Sequence, residues 1–439
     1  MKWLRVEKSG PINGTINIPG SKNSSLAILT ATLLSDDKVT LHNIPKIYDN
    51  KIICELMKKC GADVLWQNDE IVIHPQNVQT GNVDPVKSST YRASYYFIGA
   101  LLKKMKKVTI GYPGGDNFVS RPIDQHIKAL TALGATVTFK ENEYIIEAEK
   151  LVGAQIYFDT ITSGATMNTI MAAVLAEGKT ILKNAARDPE VVDLANFLNH
   201  LGAKITGAGT HTITIVGVNK LKGGKYSVIP DRLIAGAFLM FPGLNRGRIT
   251  VNNVIPDHLS SCISKLREIG LKIDIGLNNN SITSTYIGPL KATRIRTGMY
   301  PLFPTDLQQP MTALLLKAHG KSIISEKVYP HRFNHCSQLL RLGAKIEVKQ
   351  GVSFVSRSEN LKGAVLKASD VRAGTCLIMA GAMSEGATII SGVEHLERGY
   401  DDILRSFRSI GIKISMFEGE SPFENDAQNL DLNSGVPFN

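Results

Sequence analysis

Leu201-Gly-Ala-Lys-Ile205 recurs along the chain, and the recurrence sets the fold. Its counterparts are Cys60-Gly-Ala-Asp-Val64, Leu133-Gly-Ala-Thr-Val137, Ile269-Gly-Leu-Lys-Ile273, Leu342-Gly-Ala-Lys-Ile346 and Ile410-Gly-Ile-Lys-Ile414. The glycines are 73, 68, 68, 73 and 68 residues apart. Each follows an amphipathic helical run, such as Ile52 to Lys59 or Ala195 to His200, and precedes a β-branched strand. A glycine between helix and strand takes the left-handed backbone that a side chain disfavours, and so ends the helix.

Ahead of each copy lies an alternating strand that runs into a polar turn. Examples are Lys38-Val-Thr-Leu-His-Asn-Ile-Pro45, Lys179-Thr-Ile-Leu-Lys-Asn-Ala185 and Arg248-Ile-Thr-Val-Asn-Asn-Val254. Most copies also hold an Ala-rich helical stretch: Ser24 to Leu34, Ser94 to Leu102, Ala165 to Ala176 and Ala373 to Met383. Helices apolar all round, with small residues, are buried and closely packed. The chain is therefore an α/β protein of six βα-type repeats. Six such units in 439 residues exceed one compact core and predict two globules of three repeats each. The even spacing places the crossing near 225–235, where Lys222-Gly-Gly-Lys225 and Pro230-Asp-Arg232 read as a linker. Residues 419–439 are polar and aperiodic, and read as a disordered tail.

Composition narrows the function. Hydrophobic residues make up 43% and charged residues 20%, as in a globular protein. The net charge of +11 suits nucleic acid, an acidic membrane or small anionic substrates. There is no long Lys/Arg run, and aromatic residues are only 6%, which argues against nucleic acid. No apolar run approaches a membrane span, and the early charges of Met1-Lys-Trp-Leu-Arg-Val-Glu7 do not suit a signal peptide, so a cytoplasmic protein is expected. Cys54, Cys60, Cys262, Cys336 and Cys376 show no metal-ligand spacing and read as thiols in a reducing compartment. Dinucleotide, P-loop and HExxH motifs are absent, and neither a cofactor nor a metal is expected.

Candidate site residues are those that break the repeat. Lys22 in Gly20-Ser-Lys-Asn23 opens the first Ala-rich helix, where backbone N–H groups already favour anions. Arg92 holds the equivalent place in the second unit, Ser163 to Thr166 in the third, Asp231-Arg232 in the fourth, Pro304-Thr-Asp306 in the fifth and Asp370-Val-Arg372 in the sixth. Each alone could be a helix cap; at equivalent positions they predict one shared polar face. Arg398, before Gly399, could swing across a cleft, and Asp306 could be a general base. Tyr112 to His126 is a loop with adjacent glycines that carries Asp116, Arg121, Asp124 and His126, suited to closing over an anion and moving a proton.

Taken together, Gly20-Ser-Lys-Asn23, Arg92-Ala-Ser94, Pro113-Gly-Gly115 with Arg121-Pro-Ile-Asp-Gln-His126, Arg187-Asp-Pro-Glu190 with Asp193, Pro230-Asp-Arg232, Phe303-Pro-Thr-Asp306, Arg332-Phe333, Asp370-Val-Arg372 and Arg398-Gly-Tyr400 resemble the UDP-N-acetylglucosamine 1-carboxyvinyltransferases. The match runs through residues 1–417. The 5-enolpyruvylshikimate-3-phosphate synthases share the six repeats but lack the Pro-Gly-Gly…Arg-Pro loop. The resemblance implies two inside-out α/β barrel domains, 1–21 with 230–418 and 22–229, and substrates bound between them. It implies transfer of the enolpyruvyl group of phosphoenolpyruvate to the 3-hydroxyl of UDP-N-acetylglucosamine through a tetrahedral adduct, with release of phosphate, opening peptidoglycan synthesis.

By the same resemblance Lys22, Arg92, Arg121 and Arg398 hold phosphoenolpyruvate, and Asp306 lies near the 3-hydroxyl. Asn23, the run Arg121, Pro122, Ile123, Asp124 and Gln125, the run Thr160, Ile161, Thr162 and Ser163, and Val328 contact the nucleotide sugar. Arg332 belongs to the binding set, and Asp370 and Arg372 support closure. Two phosphate-bearing substrates imply an excess of cations in the cleft. Asp116 stands where the family usually has the cysteine that protonates the substrate methylene; an aspartate implies resistance to fosfomycin, because it forms no thioether. Thr160 stands where a lysine is common, and Tyr329-Pro-His331 replaces an acidic loop. These departures leave open another acceptor, such as a related nucleotide sugar or shikimate 3-phosphate, and a non-catalytic paralogue that binds nucleotide sugars.

Overall fold

The computed structural model describes residues 1–67, 69–114 and 122–419. Six inner helices, Lys22–Ala31, Tyr96–Met105, Ser163–Ala173, Arg232–Phe238, Thr305–Leu315 and Val371–Met383, open the six units. All thirteen residues of Val371–Met383 are buried, so its Ala and Gly positions serve close packing rather than an amphipathic face. Gly99 shows how close: a Cβ there would collide with the Asn168 carbonyl of the neighbouring inner helix. Outer helices such as Tyr48–Lys59 and Asn334–Arg341 bury only one side.

The sheets enclose these helices. In the third unit Lys179–Lys183 pairs parallel with Gln155–Tyr157 and antiparallel with Thr212–Val216, which pairs with Lys204–Thr206. Five four-stranded sheets and one three-stranded sheet follow this plan among the described residues. All six repeat glycines have positive φ, from 88° at Gly343 to 111° at Gly270. At Gly61 a Cβ would also meet the Asn77 carbonyl oxygen. Gly61→Ala is expected to lower stability by about 1–3 kcal/mol, measurable as a lower denaturation midpoint.

Asparagines at the strand ends are part of the same plan. Asn43, Asn184 and Asn253 have φ of 56°, 55° and 56°, a conformation asparagine tolerates. Their side-chain amides donate to the carbonyls of Val228, Phe158 and Ile18, at the end of the adjacent parallel strand.

One hydrophobic core holds residues from Leu26 to Val228. The other holds residues from Leu4 to Ile18 and from Leu233 to Ile414. The chain crosses between the halves after each of two strands. Ile12–Asn17 pairs parallel with Gly247–Asn252, and Gly224–Ser227 pairs parallel with Val39–His42. Part of the expected linker is thus a strand. Gly-Lys-Tyr-Ser has no apolar alternation to reveal it, because it is an edge strand held by backbone pairing. The crossing chains bond to each other: Ser21 N–H donates to Ile229 O at 2.7 Å and Asp231 N–H to Pro19 O at 2.9 Å. Lys2–Glu7 completes the sheet of the sixth unit between Ala387–Ser391 and Lys413–Glu418.

Gly419 N–H bonds Met1 O, which extends order one residue into the expected tail; 420–439 lie outside the described residues. The five cysteines are all buried free thiols. Among the described residues no helix is long and apolar enough to cross a membrane.

Candidate active site

The N-terminal ends of the inner helices converge on one cleft of ≈ 830 Å³. Every unit supplies lining residues there, including Lys22, Arg92, Ser163, Arg232, Asp306 and Arg372. This is the shared face expected from the repeat. Asn23, Pro122, Asp124, Gln125, Thr160, Ile161, Thr162, Val328, Arg332, Asp370 and Arg398 line it too. Ile123 does not; its side chain packs against the core of the first half, where an apolar residue gains more than at a polar wall. Asp116 and Arg121 lie outside the described residues.

Two buried aspartates cap inner helices, and one of them, Asp370, also lines the cleft. Asp231 accepts from the backbone of Leu233 and Ile234, and from Lys22 N–H across the crossing at 3.0 Å. Asp370 accepts from Arg372 and Ala373. At Asp370 capping and site lining coincide, because the helix start points into the cleft.

Three clusters organise the charges. In the first, Lys22 Nζ lies 2.9 Å from Asp49, and Arg398 Nε lies 2.8 Å from the same carboxylate. Arg398 reaches it from the other half, with a second contact at 3.2 Å. Burial pushes the Asp49 carboxyl up, but Lys22 and Arg398 outweigh it, and the net shift is down. In the second, Asp306 accepts from Arg332 at 2.6 Å, and Arg372 Nε lies 3.5 Å away. Burial opposes the charge on Asp306, yet the two guanidinium groups hold its carboxyl well below the usual carboxylate range. Its side chain keeps 28% exposure, so one edge faces the cleft. In the third, Arg232 crosses between halves to Glu190 at 3.0 Å and Asp188 at 3.4 Å, and its guanidinium lies over the Tyr300 ring. Burial and the neighbouring Glu190 raise the Asp188 carboxyl, which also accepts from Ser163 Oγ at 2.8 Å.

The remaining walls mix aromatic, amide and charged groups. Arg92 lies against Tyr95 and donates to Pro122 O at 3.3 Å. Asn168 Oδ1 accepts from Gly99 N–H, so its Nδ2 faces His126 Nδ1 at 3.2 Å. His126 Nδ1 is therefore an acceptor and Nε2 carries the proton. Burial, with Arg92 nearby, lowers the imidazole pKa to about 3 and keeps it neutral. Beside Thr160, Lys128 is held by Asp159 at 2.7 Å. Glu326 accepts from Thr297, Thr305, Val328 N–H and Tyr329 N–H, and so shapes the 326–332 turn.

The expected cation excess amounts to one charge among the described lining residues, with Arg121 outside them. Among the described lining residues, Lys22, Arg92, Arg232, Lys327, Arg332, Arg372 and Arg398 face Asp49, Asp124, Asp188, Glu190, Asp306 and Asp370. A buried cation requires a partner, so most are presented on carboxylates. Asp49 had no local signal, since Arg398 lies 349 residues away in sequence. Glu190 and Asp188 stood in a recognised motif without an assigned partner, and Tyr300 and Glu326 carried no mark.

The family described as EPSP synthase (3-phosphoshikimate 1-carboxyvinyltransferase) matches residues 6–407. UDP-N-acetylglucosamine 1-carboxyvinyltransferase 2 of Bacillus subtilis is 43% identical over 414 residues, covering 94% of this chain and 96% of that protein. UDP-N-acetylglucosamine 1-carboxyvinyltransferase of Clostridium botulinum is also 43% identical, over 416 residues, covering 94% and 99%. The crystal structure of the enolpyruvyl transferase NikO from Streptomyces tendae superposes with a TM-score of 0.86 at 21% identity, covering 94% of this chain and 98% of that one, and so shares the fold. Identity of this extent, over nearly the full length of both partners, places the chain in the carboxyvinyltransferase family, among the UDP-N-acetylglucosamine 1-carboxyvinyltransferases.

Proposed function

We propose that this transferase moves the enolpyruvyl group of phosphoenolpyruvate to the 3-hydroxyl of UDP-N-acetylglucosamine in the cytoplasm, in peptidoglycan synthesis. The observation that carries this reading is the convergence of Lys22, Arg92 and Arg398 on one cleft that Asp306 also faces. Lys22 and Arg398 are held side by side on Asp49, which fixes two cations where a phosphate and a carboxylate can be bound together. The sugar oxygen attacks C2 of phosphoenolpyruvate while C3 takes a proton, giving a tetrahedral adduct. Loss of a C3 proton then expels phosphate and leaves the enol ether. Asp306 accepts the hydrogen bond of the attacking hydroxyl on its cleft-facing edge. Its low basicity beside Arg332 and Arg372 suits orientation of that hydroxyl, and full proton acceptance requires the arginines to shift towards substrate. Asp116 supplies the C3 proton, and Arg121 joins the phosphoenolpyruvate cations, as the family pattern suggests. Arg92 joins Lys22 and Arg398 at phosphoenolpyruvate, and Asn23, Gln125, Thr160 to Ser163 and Val328 form the nucleotide-sugar wall.

Phosphate release tests the acceptor. Turnover is expected with UDP-N-acetylglucosamine, and background release with shikimate 3-phosphate; the reverse ranking overturns the assignment. Asp116 is tested separately. Asp116→Asn is expected to lower kcat by ~10²–10⁴. The parent enzyme is expected to keep its activity under fosfomycin, and Asp116→Cys to show time-dependent inactivation by it. Time-dependent inactivation of the parent by fosfomycin overturns the expected resistance, and an unchanged Asp116→Asn removes the proton-donor role.

A further inference from the structure

A second cavity, of ≈ 430 Å³, lies at the other end of the inner helices of the C-terminal half. Helix Thr305–Leu315 places Asp306 in the cleft and runs towards Lys317 here, about 17 Å along at 1.5 Å per residue. Arg246, Lys317, His319 and Arg357 line this cavity, and among the described residues no carboxylate does. The contrast with the cleft is chemical: there, cations are presented on buried acids, whereas here Arg246 and Lys317 have no ion-pair partner among the described residues. Lys8, nearby, is taken up by Glu385. Arg357 spends one nitrogen on Glu359 at 2.8 Å, and Nη1 donates to His319 Nδ1 at 3.1 Å. That bond makes Nδ1 the acceptor and leaves Nε2–H as a further donor. Burial, then Lys8 and Arg357, lower the Lys317 ammonium pKa, and Glu359, which Arg357 holds, offsets only part of this.

The backbone gives an independent sign. The junction between inner helix and following strand has positive φ in five units, and three of them use glycine: Gly178, Gly320 and Gly386. Lys106 takes the place in the second unit and is paired with Glu149. Arg246, in the fourth, has φ 57° and ψ 141°, a region that disfavours side chains, with no acid to hold it. Its carbonyl accepts from Ile12 N–H at 2.9 Å, which keeps the strained turn closed. A glycine would be cheaper there, and the exposed Arg246 side chain makes no ion pair among the described residues.

We infer that this cavity is a second anion site, separate from the catalytic cleft, which takes a small phosphate-bearing molecule between Arg246, Lys317, His319 and Arg357. Guanidinium forks match phosphate oxygens in pairs, and three cations with a neutral imidazole donor suit a multiply charged group. The volume admits a phosphorylated metabolite as well as the free ion.

Calorimetric titration of the full chain with inorganic phosphate tests this. The parent is expected to show two classes of site. Lys22→Ala/Arg398→Ala is expected to keep the second class, and Arg246→Gly/Lys317→Gln to weaken that class at least tenfold. Parallel titrations with phosphoenolpyruvate and UDP distinguish the free ion from larger phosphate esters. Arg246→Gly alone is expected to hold or raise the melting temperature, because glycine suits this backbone. Isotherms unchanged in the double variant overturn the proposal. So does a phosphate-independent fall in melting temperature in Lys317→Gln with no change in binding, which would assign the cations to the negative helix ends.

Discussion

Asp306→Asn is expected to lower kcat by ~10²–10⁴ while leaving KM for phosphoenolpyruvate within a few-fold. The amide keeps the shape but loses the charge that orients the acceptor hydroxyl between Arg332 and Arg372. It also leaves two buried guanidinium groups short of a counter-charge, so a stability readout must accompany the kinetics. Asp306→Glu preserves charge and is expected to recover melting temperature more than turnover, because the longer arm moves the oxygen away from the cleft edge. Equal kcat in Asp306→Asn and the parent excludes Asp306 from the chemistry. The pH dependence has a defined sign. A carboxyl held below its ordinary value is ionised throughout the neutral range, so Asp306 contributes no titration limb between about pH 5 and 8. Its contribution to stability is present above the unfolded value near 4, and is lost as pH falls through its lower folded value.

Asp49→Ala is expected to cost about 3–5 kcal/mol in the substrate-free enzyme. The Asp49 side chain is only 3% exposed and neutralises Lys22 and Arg398, each 15% exposed, one from each half of the molecule. Removing it leaves two like charges facing each other and cuts a bond between halves. Saturating phosphoenolpyruvate is expected to restore part of the loss, because its anionic groups take the place of the carboxylate. Thermal denaturation with and without substrate reads this directly. A melting temperature unchanged in Asp49→Ala shows that the pair is not needed to hold the halves together. A loss that substrate does not reduce shows that Lys22 and Arg398 do not receive its anionic groups.

The architecture was legible because each decisive position is local. Gly61, Gly134, Gly202, Gly270, Gly343 and Gly411 all adopt the positive φ their context demands, which three residues on either side suffice to predict. The inner helices were legible because small apolar residues on every face have nowhere to go but the interior. Site residues at the helix starts were legible for a related reason: a cation or acid repeated at equivalent positions has one common direction to face.

The partner of each charge was decided only by tertiary structure. Lys22 and Arg398 read from the sequence as free cations awaiting an anion, whereas the fold sets both on Asp49. Arg232 read as a linker residue that opens the fourth inner helix, with no partner marked; the fold pairs it with Glu190 and Asp188 of the other half. The strand Gly224–Ser227, with no apolar alternation, owes its place to pairing with Val39–His42. Local backbone preference acts within a few residues and is written in composition and spacing. Charge pairing acts between side chains brought together across hundreds of residues, where burial makes an unpartnered charge costly and the fold alone selects its partner.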